Sequence, residues 1–494
     1  MRAVPPSAAY AATWHAVSAL DVAGVTADSR HVVPGDLFFA LPGNRTDGRS
    51  FIADAVERGA IAVLAPPGTV WPPGVPPRPL IHDPEPRRRL AQIAAVLAGP
   101  QPETIVAVTG TNGKTSTVEF LRQIWAASGK EAASLGTLGV IAPGFDPGPG
   151  LTTPDPVSLA EILAGLRRTG VRHAAMEASS HGLDQARLDG VRLSSAAFTN
   201  LTRDHLDYHG TLDAYRDAKL RLFSELLPEG APVLANADME AATLEAIRDV
   251  VRRRRQELHT VGENGDAIRL QRVTPLPEGQ VIVVQAGDRR HEINLPLPGR
   301  FQADNALLAA GLAMALGEQD ALDALPRLTG VRGRMELAAR LSNGAAVYVD
   351  YAHTPDALER LLTALRPHAS GRLHVVFGAG GDRDRGKRPL MGAAAARFAD
   401  AAIVTDDNPR NEDPAAIRAA ILAACPGACE IGDRAAAIAA GLAALGPGDV
   451  LAVAGKGHEQ GQTIGAEVVP FDDVGVVRGL LGALPPVPRA DEQA

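Results

Sequence analysis

The chain has 494 residues, of which 46% are hydrophobic and 21% charged, and its formal net charge is −8. That length and balance predict a globular protein of about three domains, and the negative excess argues against a general nucleic-acid or membrane-surface binder. No run of about 20 apolar residues predicts a membrane span. The first twenty residues lack the cationic start and apolar stretch of a secretion signal, so the cytoplasm is the expected compartment.

Residues 1–100 read as short α/β units. FIADAVERGAIAVLA, Phe51 to Ala65, predicts a helix and then a strand; Pro66 to Pro79 is dense in Pro and Gly and predicts loop; Arg87 to Leu97 predicts a helix. AGPQPE is a plausible linker. A second segment, 101–330, opens with the β-rich run TIVAVTG, a glycine turn and the helix-like TSTVEFLRQIWAASG. Strand, glycine loop, helix is the start of an α/β nucleotide-binding domain. AAMEA, SAAFTN and PVLAN predict further strands, and Ala303 to Gly317 a closing helix. Arg252 to Arg255 reads as a solvated helix face. In the third segment, 331–494, AAVYVDYA, LHVVFGAG, AAIVTDDNP and DVLAVAGKG each read as a strand entering a polar loop. Ligands gather beyond the carboxyl ends of such strands, so a doubly wound, Rossmann-like domain is expected. The last ten residues are expected to fray.

Two cysteines, Cys425 and Cys429, form a C-x3-C pair without the other ligands of a zinc site, and burial as small apolar side chains is the expectation. The basic residues are lopsided: five lysines (Lys114, Lys130, Lys219, Lys387 and Lys456) against 44 arginines. Where lysine persists in such a chain, its compact ammonium or nucleophilic amine is a reason to keep it; the alternative is chance under a biased composition.

TGTNGKTS, Thr109 to Ser116, is the clearest chemical signal. Gly110 and Gly113 permit a tight turn whose amides, with Thr111 and Asn112, can face phosphate oxygens. Lys114 can reach the β- and γ-phosphates, Thr115 can hold Mg²⁺, and Ser116 starts the helix whose positive end faces the same place. Val108 stands where the general phosphate-loop pattern has its first Gly, so the spacing is a shortened variant. A glycine turn beside a surface lysine is the bland alternative.

GTNGKTS resembles the signature loop of the Mur ligase superfamily, which includes folylpolyglutamate synthetases. The likeness extends through TADSR (Thr26 to Arg30), LTTPD (Leu151 to Asp155), MEASSHGLDQARL (Met176 to Leu188), FTNLTRDHLDYHG (Phe198 to Gly210) and YRDAK (Tyr215 to Lys219). It continues through GRFQADNALLA, GRME (Gly333 to Glu336), DYAHTPD (Asp350 to Asp356), GAGGDRDRGKRPLM, DDNPR (Asp406 to Arg410) and AGKGHE (Ala454 to Glu459). Their order and spacing are similar to the branch of the Mur ligase family that adds the third peptide residue to a peptidoglycan precursor. The resemblance implies three α/β domains: a UDP-binding one at 1–100, a central ATPase at 101–330 and a Rossmann-like amino-acid-binding one at 331–494.

It also implies the chemistry. ATP phosphorylates a glutamate γ-carboxylate, an amine attacks the acyl phosphate, and phosphate leaves. Implied catalytic residues are Lys114, Glu177, His205 and Lys219. Two Mg²⁺ ions are implied, one at Thr115 and Glu177, the other at His205 and Lys219. Lys219 would carry a CO2-derived carbamate, because a free ammonium would repel the metal. By themselves, Lys219 reads as a helix-surface lysine, His205 as a structural histidine and Glu177 as a solvated strand-end acid. For ATP the resemblance adds Asn305, Arg334 and Asp350; Arg334 could instead be a linker residue paired with Glu336. For UDP-N-acetylmuramoyl-L-alanyl-D-glutamate it implies Ser29, Thr152, Thr153, Ser179, Gln185 and Arg187, with Asn44, Arg45 and Thr46 in a variable loop. For the incoming amino acid, meso-diaminopimelate, it implies Arg383, Asp407, Asn408, Pro409, Arg410, Gly455 and Glu459. Diaminopimelate differs from lysine by a carboxylate at its far end, which suits Arg410, with Arg383 as a second partner. Arg410 could instead merely pair with Asp407 or Glu412. The expected partners are these small molecules, without nucleic acid or membrane, on a monomer. A lysine-adding ligase, a folylpolyglutamate synthetase-like ligase and a non-catalytic nucleotide-binding regulator are the rival readings.

Overall fold

The computed structural model describes residues 8–43, 46–145, 152–276 and 278–482. Asn44, Arg45, Leu151 and the last ten residues lie outside them. The chain forms two compact units, Met1–Thr260 with Gly311–Gln319 and Val261–Ala310 with Asp320–Ala494.

The first unit holds two sheets. Strands Gly24–Thr26, Asp36–Phe39, Ala62–Ala65 and Leu80–His82 pair in parallel in chain order. Each is short and apolar; Leu37, Phe39, Ala62 and Leu64 pack beneath the helix Pro86–Ala98 through Leu90, Ile93 and Ala94. Pro66 to Pro79 holds no strand or helix, as its composition predicts. In the second sheet Thr104–Thr109 lies between His173–Glu177 and Ser195–Phe198, parallel to both. Ala132–Gly136 flanks His173–Glu177, and Pro232–Asn236 flanks Ser195–Phe198. These strands are buried on both faces, which explains their continuous apolar runs. The strand Thr104–Thr109 feeds the helix Lys114–Ala127 through the glycine loop, and Glu177 and Asn200 follow its neighbours' carboxyl ends.

The second unit begins with an antiparallel meander, Ile268–Leu276, Gly279–Ala286 and Arg289–Leu295. Its main sheet runs Glu336–Arg340, Ala346–Asp350, Val450–Ala454, Leu373–Phe377, Ala401–Val404, Cys429–Glu430, parallel except for the first strand. The last parallel strand to be made, Val450–Ala454, inserts between the first two, so the polar loops after Asp350, Phe377, Val404 and Ala454 collect at one edge. A separate two-stranded hairpin, Gly461–Ile464 with Glu467–Pro470, was not expected from the sequence.

Two local expectations need correction. Cys425 is buried but Cys429 is exposed, because it sits on a two-residue edge strand that pairs on one side only. Arg252 and Arg253 are solvated, whereas Arg254 folds back to donate to the Leu227 carbonyl.

Candidate active site

The glycine loop is held open by its neighbours. Gly110 adopts φ +140°, and a Cβ there would stand 1.9 Å from Thr199 Oγ1. The Thr111 amide donates to the Asn200 carbonyl at 2.8 Å, and the Asn112 amide to Asn200 Oδ1 at 3.0 Å. Thr199 Oγ1 donates to the Asn112 carbonyl at 2.6 Å. The first amides of the helix Lys114–Ala127 have no partner within the helix. They point outward with the positive end of the helix dipole, which makes them a receptor for phosphate oxygens.

Three charged side chains converge on this loop. Lys114 Nζ donates to the carbonyls of Gly110 and Thr111 at 3.0 and 2.9 Å. Lys219 Nζ donates to the same Gly110 carbonyl at 2.8 Å. Lys219 is 1% exposed, so it is no surface lysine. Burial, with the charge of Lys114 second, pushes it well below the ordinary lysine range. Among the described residues no carboxylate stands within ion-pair distance of it. Glu177 is likewise buried rather than solvated. It accepts from Thr115 Oγ1 at 2.9 Å, the Thr137 amide at 2.8 Å and Thr137 Oγ1 at 3.3 Å. A Cβ at Gly136 would lie 2.1 Å from Glu177 Oε1, which explains that glycine. Thr137, which the sequence did not single out, orients this carboxylate.

His205 adopts φ +51° and is half-exposed. Its ring joins a group that includes His181 at 4.9 Å and Tyr215 at 6.1 Å, and Lys219 Nζ lies 4.4 Å from the centre of the Tyr215 ring. Among the described residues no three His, Cys, Asp or Glu side chains form a ready metal cage. Mg²⁺ takes oxygen ligands and keeps several waters, so Thr115 beside Glu177 fits it. His205 beside an unmodified lysine does not, because an ammonium offers the ion no oxygen and repels it.

A second cluster of the same unit gathers residues from three motifs. Thr153 Oγ1 donates to the Glu177 carbonyl and accepts from the Ser179 amide, and Thr152 Oγ1 lies 3.1 Å from Thr137 Oγ1. Ser179 caps the short helix that follows it. Arg187 donates to the Thr153 carbonyl at 2.7 Å and to Gln185 Oε1 at 2.8 Å, neutral acceptors only. Burial lowers its pKa, and among the described residues no carboxylate forms an ion pair with it. Asp184 and Ala186 face a cleft of about 440 Å³, lined also by Pro42, Pro66, Arg87 and Arg221. Ser29 is buried outside that lining. Asp184 lies within MEASSHGLDQARL but was assigned no role, and Arg87 and Arg221 belong to no motif.

In the second unit, Asn305, Arg334 and Asp350 form a connected set. Gln302 Nε2 donates to the Arg334 carbonyl at 3.1 Å, and Asn305 donates to Gln302 Oε1 at 3.4 Å. Asp350 accepts from the amides of Met335, whose φ is +51°, and Ala352. Burial pushes its carboxyl up, against the Arg334 charge. Arg334 does not pair with Glu336; it stacks over Tyr351 at 4.8 Å. Glu336 instead accepts from the Gly333 amide at 2.9 Å.

The loops after Phe377, Val404 and Ala454 meet in this same unit. Arg410 adopts φ +51°, and its Nη1 donates to the Gly381 carbonyl at 2.8 Å. It pairs with neither Asp407 nor Glu412, and Glu412 is taken by Arg388 at 2.9 Å. A Cβ at Gly380 would stand 2.9 Å from Arg410 Nη1 and 4.0 Å from Arg383 Cγ, so both arginines border one glycine. The unexpected hairpin clips this loop in place. The Arg410 amide donates to the Thr463 carbonyl, the Gly465 amide to the Arg410 carbonyl, and Gln462 Nε2 to the Asp407 carbonyl at 2.7 Å. Asn408 Nδ2 donates to Glu459 Oε2 at 3.0 Å. Gly455, at φ +123°, lies where a Cβ would meet Asp407 Oδ2 at 2.9 Å. A pair of arginines and a pair of carboxylates thus border one loop cluster, a pattern suited to a zwitterionic head group.

Three family models match the sequence: the Mur ligase family catalytic domain at residues 21–96, the Mur ligase middle domain at 108–313 and the Mur ligase glutamate ligase domain at 333–457. The UDP-N-acetylmuramoyl-L-alanyl-D-glutamate–2,6-diaminopimelate ligase of Rhizobium meliloti (strain 1021) is 55% identical over 94% of this chain and 95% of its own. The ligase of that name from Caulobacter vibrioides is 56% identical over 92% and 94%. A solved structure of a UDP-N-acetylmuramoyl-L-alanyl-D-glutamate–2,6-diaminopimelate ligase superposes with a TM-score of 0.71 at 35% identity, covering 94% of this chain and 95% of that one.

Proposed function

Because this chain belongs to the Mur ligase family, we propose that it is an ATP-dependent ligase joining meso-2,6-diaminopimelate to the D-glutamate γ-carboxylate of UDP-N-acetylmuramoyl-L-alanyl-D-glutamate in peptidoglycan synthesis. The observation that carries the amino-acid assignment is Arg410. Among the described residues its guanidinium meets only a carbonyl oxygen, in a cluster with Asp407, Asn408 and Glu459. A lysine has no carboxylate for that cation; diaminopimelate has one.

A carboxylate is a poor electrophile, so the reaction begins by transfer of the ATP γ-phosphoryl group to the glutamate γ-carboxylate, releasing ADP. Lys114 and the amides at the start of its helix stabilise the charge on the transferred group and hold it in line. The amine of diaminopimelate then attacks the acyl carbon, and the tetrahedral intermediate collapses to the amide with loss of phosphate. Arg187, with Thr153, Ser179 and Gln185, binds and orients the glutamyl end. Ser29 and the cleft beside Arg87 belong to the UDP-sugar part. Asn305, Arg334 and Asp350 bind the base and ribose of ATP. Arg383, Asp407 to Arg410, Gly455 and Glu459 hold the far end of diaminopimelate.

Mg²⁺ bound at Thr115 and Glu177, and a second ion at His205 and Lys219, would neutralise charge on the phosphates. Lys219 is carbamylated in this reading, which gives the second ion an oxygen ligand and removes the repulsive ammonium. Its support is the burial of Lys219 beside Lys114 with no ion-pairing acid among the described residues. The three segments 1–100, 101–330 and 331–494 divide the labour as UDP-sugar, ATP and amino-acid parts. In this reading the working unit is a single chain. The compartment is the cytoplasm, where ATP and nucleotide-linked precursors are made; among the described residues no helix is long and apolar enough to cross a membrane.

The test is mass measurement of the product with diaminopimelate and lysine offered together. A product heavier by one diaminopimelate residue (diaminopimelate less water), with phosphate released only when both co-substrates are present, is the expected result. A lysine adduct, or phosphate release without an amino acid, would overturn the assignment.

A further inference from the structure

Three of the five lysines, Lys130, Lys387 and Lys456, have no task in the reaction above, and Lys130 pairs with Glu318. Lys387 is half-buried and donates to the His353 carbonyl at 2.8 Å. Lys456 is different: its side chain has no exposure at all. Its ammonium donates to Asn408 Oδ1 at 2.8 Å and stands 3.6 Å from Asp407 Oδ1 and 3.5 Å from Glu459 Oε2. Burying an ammonium is costly unless it is paired and hydrogen-bonded. All three partners belong to the cluster assigned above to the far end of the amino acid. A chain that uses arginine for nearly all its positive charge keeps, at this point, the compact cation.

The charges around it can be summed by inspection. Asp407 and Glu459 carry two negative charges, and Lys456 cancels one. Arg434 is the next buried cation, but both of its bonded nitrogens lie 2.7 Å from Asp473, and neither of those side chains is exposed. That pair is neutral by itself. Arg383 and Arg410, which border Gly380 in the same cluster, are assigned above to the far carboxylate of the amino acid and are balanced by it, so the ammonium end is left with one negative charge. Among the described residues nothing donates to the buried Asp407 Oδ1, so acceptor capacity remains. One incoming ammonium would balance the cluster.

We propose that Lys456 is the internal counter-ion of this pocket: it ties Asp407, Asn408 and Glu459 into one preformed receptor and cancels one of its two negative charges, so that the receptor takes an amino acid with a single far ammonium. The inference rests on the reading of this pocket as the diaminopimelate site. Lys456 touches no substrate in this scheme and is a positioning residue. It holds Asn408 Oδ1 together with the Thr463 amide, which turns the Asn408 amino group toward Glu459. Without the ammonium, Asp407 and Glu459 would lose the cation that stands 3.6 Å from one and 3.5 Å from the other. Glu459, about one-third exposed, is the one free to swing out.

The experiment is steady-state kinetics on the full-length enzyme with ATP, the UDP-dipeptide and either diaminopimelate or 2-aminopimelate, which keeps the far carboxylate and lacks the far ammonium. Lys456→Met should raise KM for diaminopimelate by about tenfold or more while KM for the other two substrates stays within about twofold. Asp407→Asn alone leaves the cluster neutral and should also weaken diaminopimelate. Adding Lys456→Met to Asp407→Asn returns the single negative charge, and KM for diaminopimelate should fall by about threefold or more relative to Asp407→Asn. This comparison stands even where Lys456→Met alone does not fold. An equal or higher KM in the double variant, or a uniform rise in all three KM values for Lys456→Met, overturns the counter-ion role. A wild-type enzyme that fails to prefer diaminopimelate to 2-aminopimelate would instead overturn the reading of the pocket on which the inference rests.

Discussion

Three single side chains make sharp tests of the proposed reaction. Lys219→Ala removes the buried amine proposed to carry the carbamate beside the glycine loop, and turnover should fall by about a hundredfold or more. Added short carboxylic acids should restore part of it, because they supply the missing oxygen; full activity without additive would rule the carbamate out. Lys114→Ala should abolish ATP turnover while leaving UDP-dipeptide binding intact, checked by calorimetry with each ligand separately. Arg410→Ala should lower the ratio of kcat/KM for diaminopimelate over lysine by about 10- to 100-fold, the worth of one charge-assisted bond of roughly 1.5–3 kcal/mol. An unchanged ratio would make Arg410 a loop clasp and nothing more. The motifs contained all three residues, yet they could not say which ion pairs form. Arg410 had Asp407 and Glu412 as neighbours in sequence and pairs with neither, because its left-handed backbone turns the guanidinium onto the Gly381 carbonyl instead.

Short strands explain why the loops matter more than the elements that carry them. Thr104–Thr109, Ala346–Asp350, Leu373–Phe377 and Val450–Ala454 are buried apolar runs of five or six residues. They have few ways to vary, and each delivers its following loop to the carboxyl edge of its own sheet. The hairpin Gly461–Ile464 with Glu467–Pro470 is exposed, with Ile464, Val468 and Val469 open to solvent, and it has no sequence signature strong enough to notice. It nevertheless holds the Asp407 to Arg410 loop through main-chain bonds and Gln462. Gln462→Ala loses one bond to the Asp407 carbonyl, about 1 kcal/mol. KM for diaminopimelate should rise about fivefold, with KM for ATP unchanged; steady-state kinetics on both substrates checks it. A change confined to ATP would show that the hairpin serves another site.

At the scale of the molecule, stability has its own buried charges. Arg89 and Asp83 are 2% and 0% exposed and pair at 2.7 Å, with Thr13 donating to the same carboxylate. Burial pushes Asp83 up, but the bonds from Arg89, Thr13 and the Glu85 amide outweigh it and hold its pKa below the ordinary value. A carboxyl depressed in the folded state stabilises above its unfolded pKa, near 3.9, and that contribution is lost as pH falls through the folded value. Asp83→Asn should therefore destabilise the first unit by about 3–5 kcal/mol at pH 7. The gap from wild type should narrow below roughly pH 4, where wild type loses its own carboxylate. All three tryptophans, Trp14, Trp71 and Trp125, lie in that unit, so urea unfolding followed by fluorescence reports it. A gap that stays constant from pH 7 to about 3 would show that Asp83 is not the titrating group.

The sequence by itself determined the alternation of strands and helices and the glycine loop, because these depend on neighbours within a few residues. An apolar run of five, a glycine at a tight turn or a lysine at a helix start is local physics. It also carried the family, through motifs whose order survives along the chain. Tertiary structure alone decided which charges are paired and which are left open. Thr137 reaches Glu177 across 40 positions, Arg187 reaches the Thr153 carbonyl across 34, and Lys456 reaches Asn408 across 48. Such partners meet only because one strand inserts between two made earlier, and sheet order is set by the total burial of apolar faces rather than by any short stretch. Once those faces are buried, a polar side chain caught at the sheet edge must find a partner there or wait for a ligand. That is why the burial of Lys456 and the open guanidinium of Arg410 became visible only in the fold.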